Sequence, residues 1–115
     1  MRRRLIAALE ELPGVRVTGW AGAADDAMEA IWRLGPQFVV LDLQLTRGSG
    51  LLVLGALKTL DRPPVIAVLT NHPQVQYRRR CEELGADFFF DKAEGLDGVL
   101  DACRTIASAP NVAAR

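Results

Sequence analysis

The sequence has little of what several kinds of functional site require. It contains one histidine and two cysteines, and its 14 basic residues balance its 14 acidic residues. No apolar run reaches the roughly 18 residues of a membrane span. The balanced charge argues against broad binding of nucleic acid or anionic lipid. Cys81 and Cys103 lack CxxC spacing, so we expect reduced, small apolar residues in a cytoplasmic protein.

The chain is long enough for one domain with its own core, since half of its 115 residues are hydrophobic. We expect this domain to cover residues 1–109, followed by a tail at 110–115. Helical and strand periodicities alternate along it. The predicted helices are 2–12, 23–34, 51–60, 73–85 and 95–109, and the predicted strands are 15–21, 38–43, 65–70 and 86–90. Such alternation predicts an α/β fold with a parallel, four-stranded sheet between two helical layers.

Polar side chains end three consecutive apolar strands. Asp42 ends "FVVLD", Thr70 ends "VIAVLT", and Lys92 follows "ADFFFD". Sites in open α/β sheets form at the carboxyl ends of strands, so we expect these residues to meet at one edge. A carboxylate can act as a nucleophile toward a phosphoryl group. A hydroxyl and an ammonium group can then hold the oxygens of that phosphoryl group.

At these residues the chain resembles the receiver domain of two-component response regulators. "VVLDLQLTRGSGLLVL" is similar to the strand and loop that carry the family's phospho-acceptor, which makes Asp42 the acceptor and Gly50 the loop glycine. Thr70 would be the switch hydroxyl, Lys92 the lysine, and Phe89 the aromatic whose rotamer reports activation. The resemblance implies a flavodoxin-like fold, Mg²⁺, a sensor histidine kinase or phosphotransfer protein as donor, and an output partner. It implies a signalling domain with at most self-catalysed phosphoryl transfer and hydrolysis.

The sequence departs from that family at its beginning. Family members begin with a strand that ends in two acidic Mg²⁺ ligands, whereas this chain begins with "MRRRLIAALEEL". Asp25 and Asp26 do not replace them, because they begin a later helix. Asp42 and the backbone carbonyl of Gln44 then remain as metal ligands. Since Mg²⁺ prefers several oxygen ligands, we expect weak or absent metal binding and slow phosphorylation.

The departure also leaves the 38–43 strand without a neighbour on one side, and unpaired edges favour association. The segment 15–21 could pair there, a second copy could cover the edge, or the gene could start further upstream. We expect a homo-oligomer.

Other functions remain open. A phosphorylation-independent adaptor would act by docking and self-association, through the face of "QVQYRRRCEEL", Phe88–Phe90 and the last helix. A flavin or nucleotide enzyme has no GxGxxG or P-loop motif to support it. His72 is expected in a loop with no catalytic role, and Trp20 and Trp32 are expected to pack.

Overall fold

The computed structural model describes residues 2–43, 49–71 and 75–108. Within these ranges the chain forms five α-helices and three β-strands. The elements in chain order are α1 (Arg2–Glu10), α2 (Ala24–Leu34), β1 (Phe38–Asp42), α3 (Gly50–Leu57), β2 (Val65–Thr70), α4 (Val75–Leu84), β3 (Phe88–Asp91), a 3-10 turn (Lys92–Glu94) and α5 (Asp97–Ser108). None of these helices is both long enough and apolar enough to cross a membrane.

The sheet is parallel and has the order β1-β2-β3. Phe38 pairs with Val65 at one end of β1, and Asp42 pairs with Leu69 at the other. β2 is the central strand and is buried from Ile66 to Thr70. Its uninterrupted apolar sequence is what a strand covered on both faces requires. The predicted parallel sheet is therefore present, and the predicted bounds of β2 are confirmed.

Helices cover the sheet as a parallel topology demands. α3 contacts β1, and both α2 and α4 pack against α3, whereas α5 contacts β1 and β3, and α1 packs against α5. The largest buried cluster fills the layer under α3 and consists of Leu41, Val53, Leu54, Leu57, Ile66, Val68 and Cys81. Gly35 ends α2 in the left-handed conformation, where its N–H donates to the carbonyl oxygen of Ile31 at 2.9 Å.

The expected fourth strand is not formed. Residues 15–20 have no regular secondary structure, although the alternation of Val15 and Val17 predicted a strand. A strand needs a hydrogen-bonded neighbour, and a cavity of about 840 Å³ lies against both this segment and β1. The prediction that both tryptophans pack is also wrong, because Trp20 is 61% exposed and Trp32 is 80% exposed.

Candidate functional site

The three polar residues singled out in the sequence lie at the carboxyl edge of the sheet. Asp42 is the last residue of β1 and pairs with Leu69, the residue before Thr70. Thr70 ends β2 and pairs with Asp91, the residue before Lys92. The strand register therefore carries all three to one edge, as the alternation of helices and strands predicts.

The ammonium group of Lys92 contacts the carboxylate of Asp42 across the sheet. The distance from Nζ to Oδ2 is 2.5 Å, although the two residues are 50 positions apart. The side chain of Lys92 is 13% exposed and that of Asp42 is 38% exposed, so the pair is open to solvent mainly on the carboxylate side. This arrangement compensates the negative charge of Asp42 and leaves the carboxylate accessible from outside.

The turn after β3 sets the position of Lys92. Oδ1 of Asp91 accepts a hydrogen bond from the N–H of Ala93 at 2.9 Å, and the 3-10 turn Lys92–Glu94 follows directly. An aspartate that bonds to the backbone two residues further on is a common way to start a turn. This role of Asp91 was not predicted, although an aspartate at the end of an apolar strand could have indicated a turn.

Thr70 differs from its neighbours in being fully buried. Its position at the end of the central strand places it between the strand of Asp42 and the strand that leads to Lys92. Its hydroxyl group therefore lies at the buried base of the site and not at its solvent-exposed side.

The amino end of α3 closes against the end of β1. A Cβ atom at Gly50 would lie 2.6 Å from Cα of Leu43 and 3.0 Å from the carbonyl oxygen of Asp42, so no side chain fits there. Oγ of Ser49 accepts a hydrogen bond from the N–H of Leu52 at 3.4 Å and caps the helix. The sequence predicted the glycine but missed the cap, which Ser49 before an apolar run could have indicated.

Phe89 lies on β3, half-buried, in register with Val68. The guanidinium carbon of Arg78 lies 5.7 Å from the centroid of its ring, a cation–π distance. From the sequence, the arginines of α4 were named only as part of a possible docking face. A contact between α4 and the strand next to the site was not foreseen, because nothing in a run of three arginines shows which one faces the sheet.

The described residues do not form a metal site. They contain no group of three or more His, Cys, Asp or Glu residues that could hold a metal ion. Asp42 is the one carboxylate at the candidate site that the sequence named as a ligand, while Gln44 and His72 lie outside the described residues. Asp25 and Asp26 begin α2, as expected. Mg²⁺ prefers an octahedral set of oxygen ligands, so these residues do not fit it.

Both cysteines are free and buried, as expected for small apolar residues. Burial raises the pKa of the Cys81 thiol, and the nearby carboxylate of Glu82 raises it further. Burial likewise raises the pKa of Cys103. Thiols kept in the protonated form are poor nucleophiles, so neither cysteine is a candidate for catalysis.

Comparisons with known proteins identify the family to which this sequence is similar. A family described as the response regulator receiver domain matches residues 1–104. The "virulence factors putative positive transcription regulator BvgA" of Bordetella pertussis is 32% identical over 104 residues, which are 90% of this chain and 50% of that protein. The chain thus spans about half the length of this curated relative.

Two solved structures show the same fold. The receiver domain of the response regulator NarL from Mycobacterium tuberculosis superposes with a TM-score of 0.83 at 22% identity, covering 94% of this chain and 87% of that one. A response regulator from Burkholderia pseudomallei superposes with a TM-score of 0.79 at 28% identity, covering 98% of this chain and 64% of that one. The latter structure is described as holding a phosphorylated aspartic acid, a calcium ion and citrate.

Proposed function

This chain belongs to the response regulator receiver domain family, and we propose that it works as a phospho-accepting switch with Asp42 as the acceptor. Receiver domains of this family have the general role of accepting a phosphoryl group in two-component signalling. The observation that carries the assignment of Asp42 is its contact with Lys92 at the carboxyl edge of the sheet. The related structure from Burkholderia, with its phosphorylated aspartic acid, supports the same chemistry.

The proposed reaction is a phosphoryl transfer to the carboxylate. An oxygen of Asp42 forms a bond to phosphorus while the bond from phosphorus to the donor breaks. With a phosphohistidine donor this is a P–N bond, and the leaving imidazole takes a proton from solvent. With acetyl phosphate it is a P–O bond, and acetate leaves as an anion. In-line attack needs an acceptor that is open to solvent, as the partly exposed Asp42 is.

Lys92 and Thr70 then hold the product. The ammonium group of Lys92 already contacts Asp42 and would pair with a phosphoryl oxygen after transfer. The hydroxyl group of Thr70 would donate a hydrogen bond to another phosphoryl oxygen. Gly50 lets the amino end of α3 lie directly against the main chain of the acceptor strand. Phe89, half-buried on β3, would change its rotamer when Thr70 moves.

We expect the metal to contribute less in this chain than it does in the family. Receiver domains of the family generally bind Mg²⁺, which neutralises charge during transfer. Among the described residues, no three His, Cys, Asp or Glu side chains lie together in a way that could hold a metal ion. We therefore expect weak Mg²⁺ binding and slow transfer to Asp42, with Lys92 as the main compensating charge.

The partners follow from the same role. The donor would be a sensor histidine kinase or a phosphotransfer protein, and the output would come from another domain or protein. The relative from Bordetella is named as a transcription regulator and is about twice as long as the matched region. A transcription-regulating output would therefore lie in sequence outside the matched residues. The alternative of an adaptor that docks without phosphorylation has no support from the comparisons.

The test is labelling with acetyl phosphate, read by intact mass spectrometry over time and over a range of Mg²⁺ concentrations. We expect one phosphoryl group per chain, slow labelling and a weak dependence on Mg²⁺. Asp42→Asn should abolish the label, and Lys92→Ala should slow its appearance or shorten its lifetime.

Asp101→Asn is the matched control, because Asp101 is an exposed carboxylate on α5 that pairs with the neighbouring Arg104. It should label like the wild type. Labelling that persists in Asp42→Asn would refute Asp42 as the acceptor. Fast labelling that saturates with Mg²⁺ would leave the acceptor in place but contradict the expected weak metal binding.

A further inference from the structure

The side chain of Phe89 lies on the same face of the sheet as that of Thr70. Side chains alternate along a strand, so Val68 and Thr70 of β2 point to one face. Phe89 is in register with Val68 and packs against the same buried cluster, which places its ring on that face too. Cys81 of α4 belongs to this cluster, so α4 covers this face. A change in the position of Thr70 is therefore felt on the side of the sheet where the ring lies.

Arg78 lies over this ring. Its guanidinium carbon is 5.7 Å from the ring centroid of Phe89, within the distance of about 6 Å at which a cation is attracted to an aromatic face. Nε of Arg78 also lies 3.9 Å from a carboxylate oxygen of Glu82, four residues further along α4. Both side chains of this ion pair are 60% exposed, so the pair by itself contributes little to stability. The ring is thus the partner of Arg78 that connects it to the sheet.

The contact joins an exposed part of α4 to the strand that leads to the candidate site. Residues 75–80 of this helix are all exposed, and Cys81 is the residue that the helix buries. Phe89 is followed on β3 by Phe90 and Asp91, after which Lys92 begins the turn. Arg78 therefore reaches the ring from a position where its charge stays in water, and the contact can form and break at small cost.

We propose that Arg78 is a positioning residue that holds the ring of Phe89 away from Thr70 and thereby opposes phosphorylation of Asp42. The inference rests on the proposed function, in which Thr70 donates to a phosphoryl oxygen on Asp42. Because β2 lies between β1 and β3, a hydroxyl group that turns toward Asp42 moves away from β3. The half-buried ring of Phe89 gains buried apolar area by moving into the vacated space, but it then leaves the guanidinium group of Arg78.

Linkage relates this contact to the acceptor in both directions. A contact that is present in one of two arrangements and absent from the other shifts their equilibrium by its own free energy. Removal of the cation at Arg78 should therefore favour the phosphorylated arrangement, and phosphorylation of Asp42 should in turn release the guanidinium group from the ring. Exposed cation–π pairs are weak, so the size of the effect is about two- to fivefold and labelling is not abolished.

The test combines labelling by acetyl phosphate with fluorine NMR. All four phenylalanines of the chain are replaced by para-fluorophenylalanine, and the resonance of Phe89 is assigned by its loss in Phe89→Leu. Arg78→Met keeps the length of the side chain and removes its charge, whereas Arg78→Lys keeps a cation. Arg79→Met is the matched control, because it removes the same charge from the exposed neighbouring position of α4. The readouts are the steady-state ratio of labelled to unlabelled chain and the chemical shift of Phe89 in each form.

We expect Arg78→Met to raise the labelled-to-unlabelled ratio about two- to fivefold, Arg78→Lys to restore most of the wild-type ratio, and Arg79→Met to match the wild type. The resonance of Phe89 should differ between the wild type and Arg78→Met in the unlabelled chain. In the labelled chain the two resonances should coincide, because the ring has then left the arginine. A contact with a purely structural role would give the same difference in both forms.

The outcomes separate this proposal from the proposed function. A wild type that takes the label, together with equal ratios for Arg78→Met and Arg79→Met, would overturn the role of Arg78 and leave Asp42 as the acceptor. A difference in the Phe89 resonance that persists after labelling would do the same, since the ring would then stay against the arginine. A wild type that takes no label at all would refute the proposed function, and the role of Arg78 with it.

Discussion

At position 50 the main chain of the preceding strand excludes a side chain. Replacing Gly50 by Ala would put a Cβ atom 2.6 Å from Cα of Leu43, which cannot move without disturbing β1. We expect a loss of about 1–3 kcal/mol in the free energy of unfolding, because overpacking against backbone strains the core. Urea unfolding would measure it.

Gly55→Ala is the matched control on the same helix. A Cβ atom there would lie 3.6 Å from Cδ2 of Leu84, which is ordinary van der Waals contact. Alanine inside a helix should stabilise by up to about 1 kcal/mol relative to glycine. Equal effects of the two substitutions would show that the contact with Leu43 does not decide the choice of glycine at position 50.

Burial of the Cys81 thiol links stability to alkaline pH. Its pKa is raised in the folded state above the ordinary value of 9.0, so the unfolded chain loses this proton first as the pH rises. The stabilisation that the buried, protonated thiol provides is therefore fully present below about pH 9. It is lost as the pH rises through the pKa of the thiol in the folded state. Cys81→Ala should lower stability at neutral pH but show a shallower decline above about pH 9.

Urea midpoints of both proteins at several pH values would measure this difference. Parallel declines of the wild type and Cys81→Ala would contradict it. Both cysteines were predicted to be small apolar residues because they lack CxxC spacing, and their burial agrees with that prediction.

Three residues of the candidate site could be predicted from the sequence alone. Asp42, Thr70 and Lys92 were predicted to meet, because each follows an apolar strand and parallel strands end at one edge. The contact of Arg78 with Phe89 could not be predicted in this way. It depends on which face of α4 turns toward β3, and the apolar positions of that helix are too few to define a face.

At the scale of elements, Asp87 joins three parts of the sheet's amino edge. Its Oδ2 accepts hydrogen bonds from the N–H of Ile66 and from Nζ of Lys58, both at 2.8 Å. Lys58 also donates to the carbonyl oxygen of Pro64 at 3.3 Å. The end of α3, the start of β2 and the approach to β3 are thereby tied together opposite the candidate site.

Asp87→Ala would leave the N–H of Ile66 without this acceptor and should lower the free energy of unfolding by about 1–3 kcal/mol. Asp87→Asn keeps an oxygen for Ile66 and should cost less. Asp101→Ala breaks an ion pair whose side chains are both more than half exposed, so it should cost at most about 0.5 kcal/mol. Chemical unfolding of the three variants compares them, and equal losses for Asp87→Ala and Asp101→Ala would contradict this role.

The 15–21 segment shows where element prediction failed. Its alternation of apolar and polar residues is a strand pattern, but a strand also requires a bonded neighbour. The neighbour it would need is β1, and the cavity of about 840 Å³ lies between them. Sequence periodicity reports which side chains could face a core and does not report whether a paired edge is within reach.

At the scale of the whole molecule, exposed apolar side chains favour self-association. Trp32, Leu52 and Val75 are all largely exposed, and the formal net charge of zero provides little repulsion between copies. We expect the average mass in sedimentation velocity to rise with protein concentration, and to rise less in Trp32→Gln. A clean monomer at high concentration would contradict this expectation.

The alternation of helices and strands from residue 23 onward, and the meeting of three polar residues at one edge, could be predicted from the sequence. Periodicity is a local property of the chain, and parallel strands end at the same edge of a sheet. Only the tertiary structure decided that Lys92 reaches Asp42, that Arg78 covers Phe89 and that the edge of β1 borders a groove instead of a fourth strand. Those outcomes depend on the distances between elements that are far apart in the chain, which no local pattern encodes.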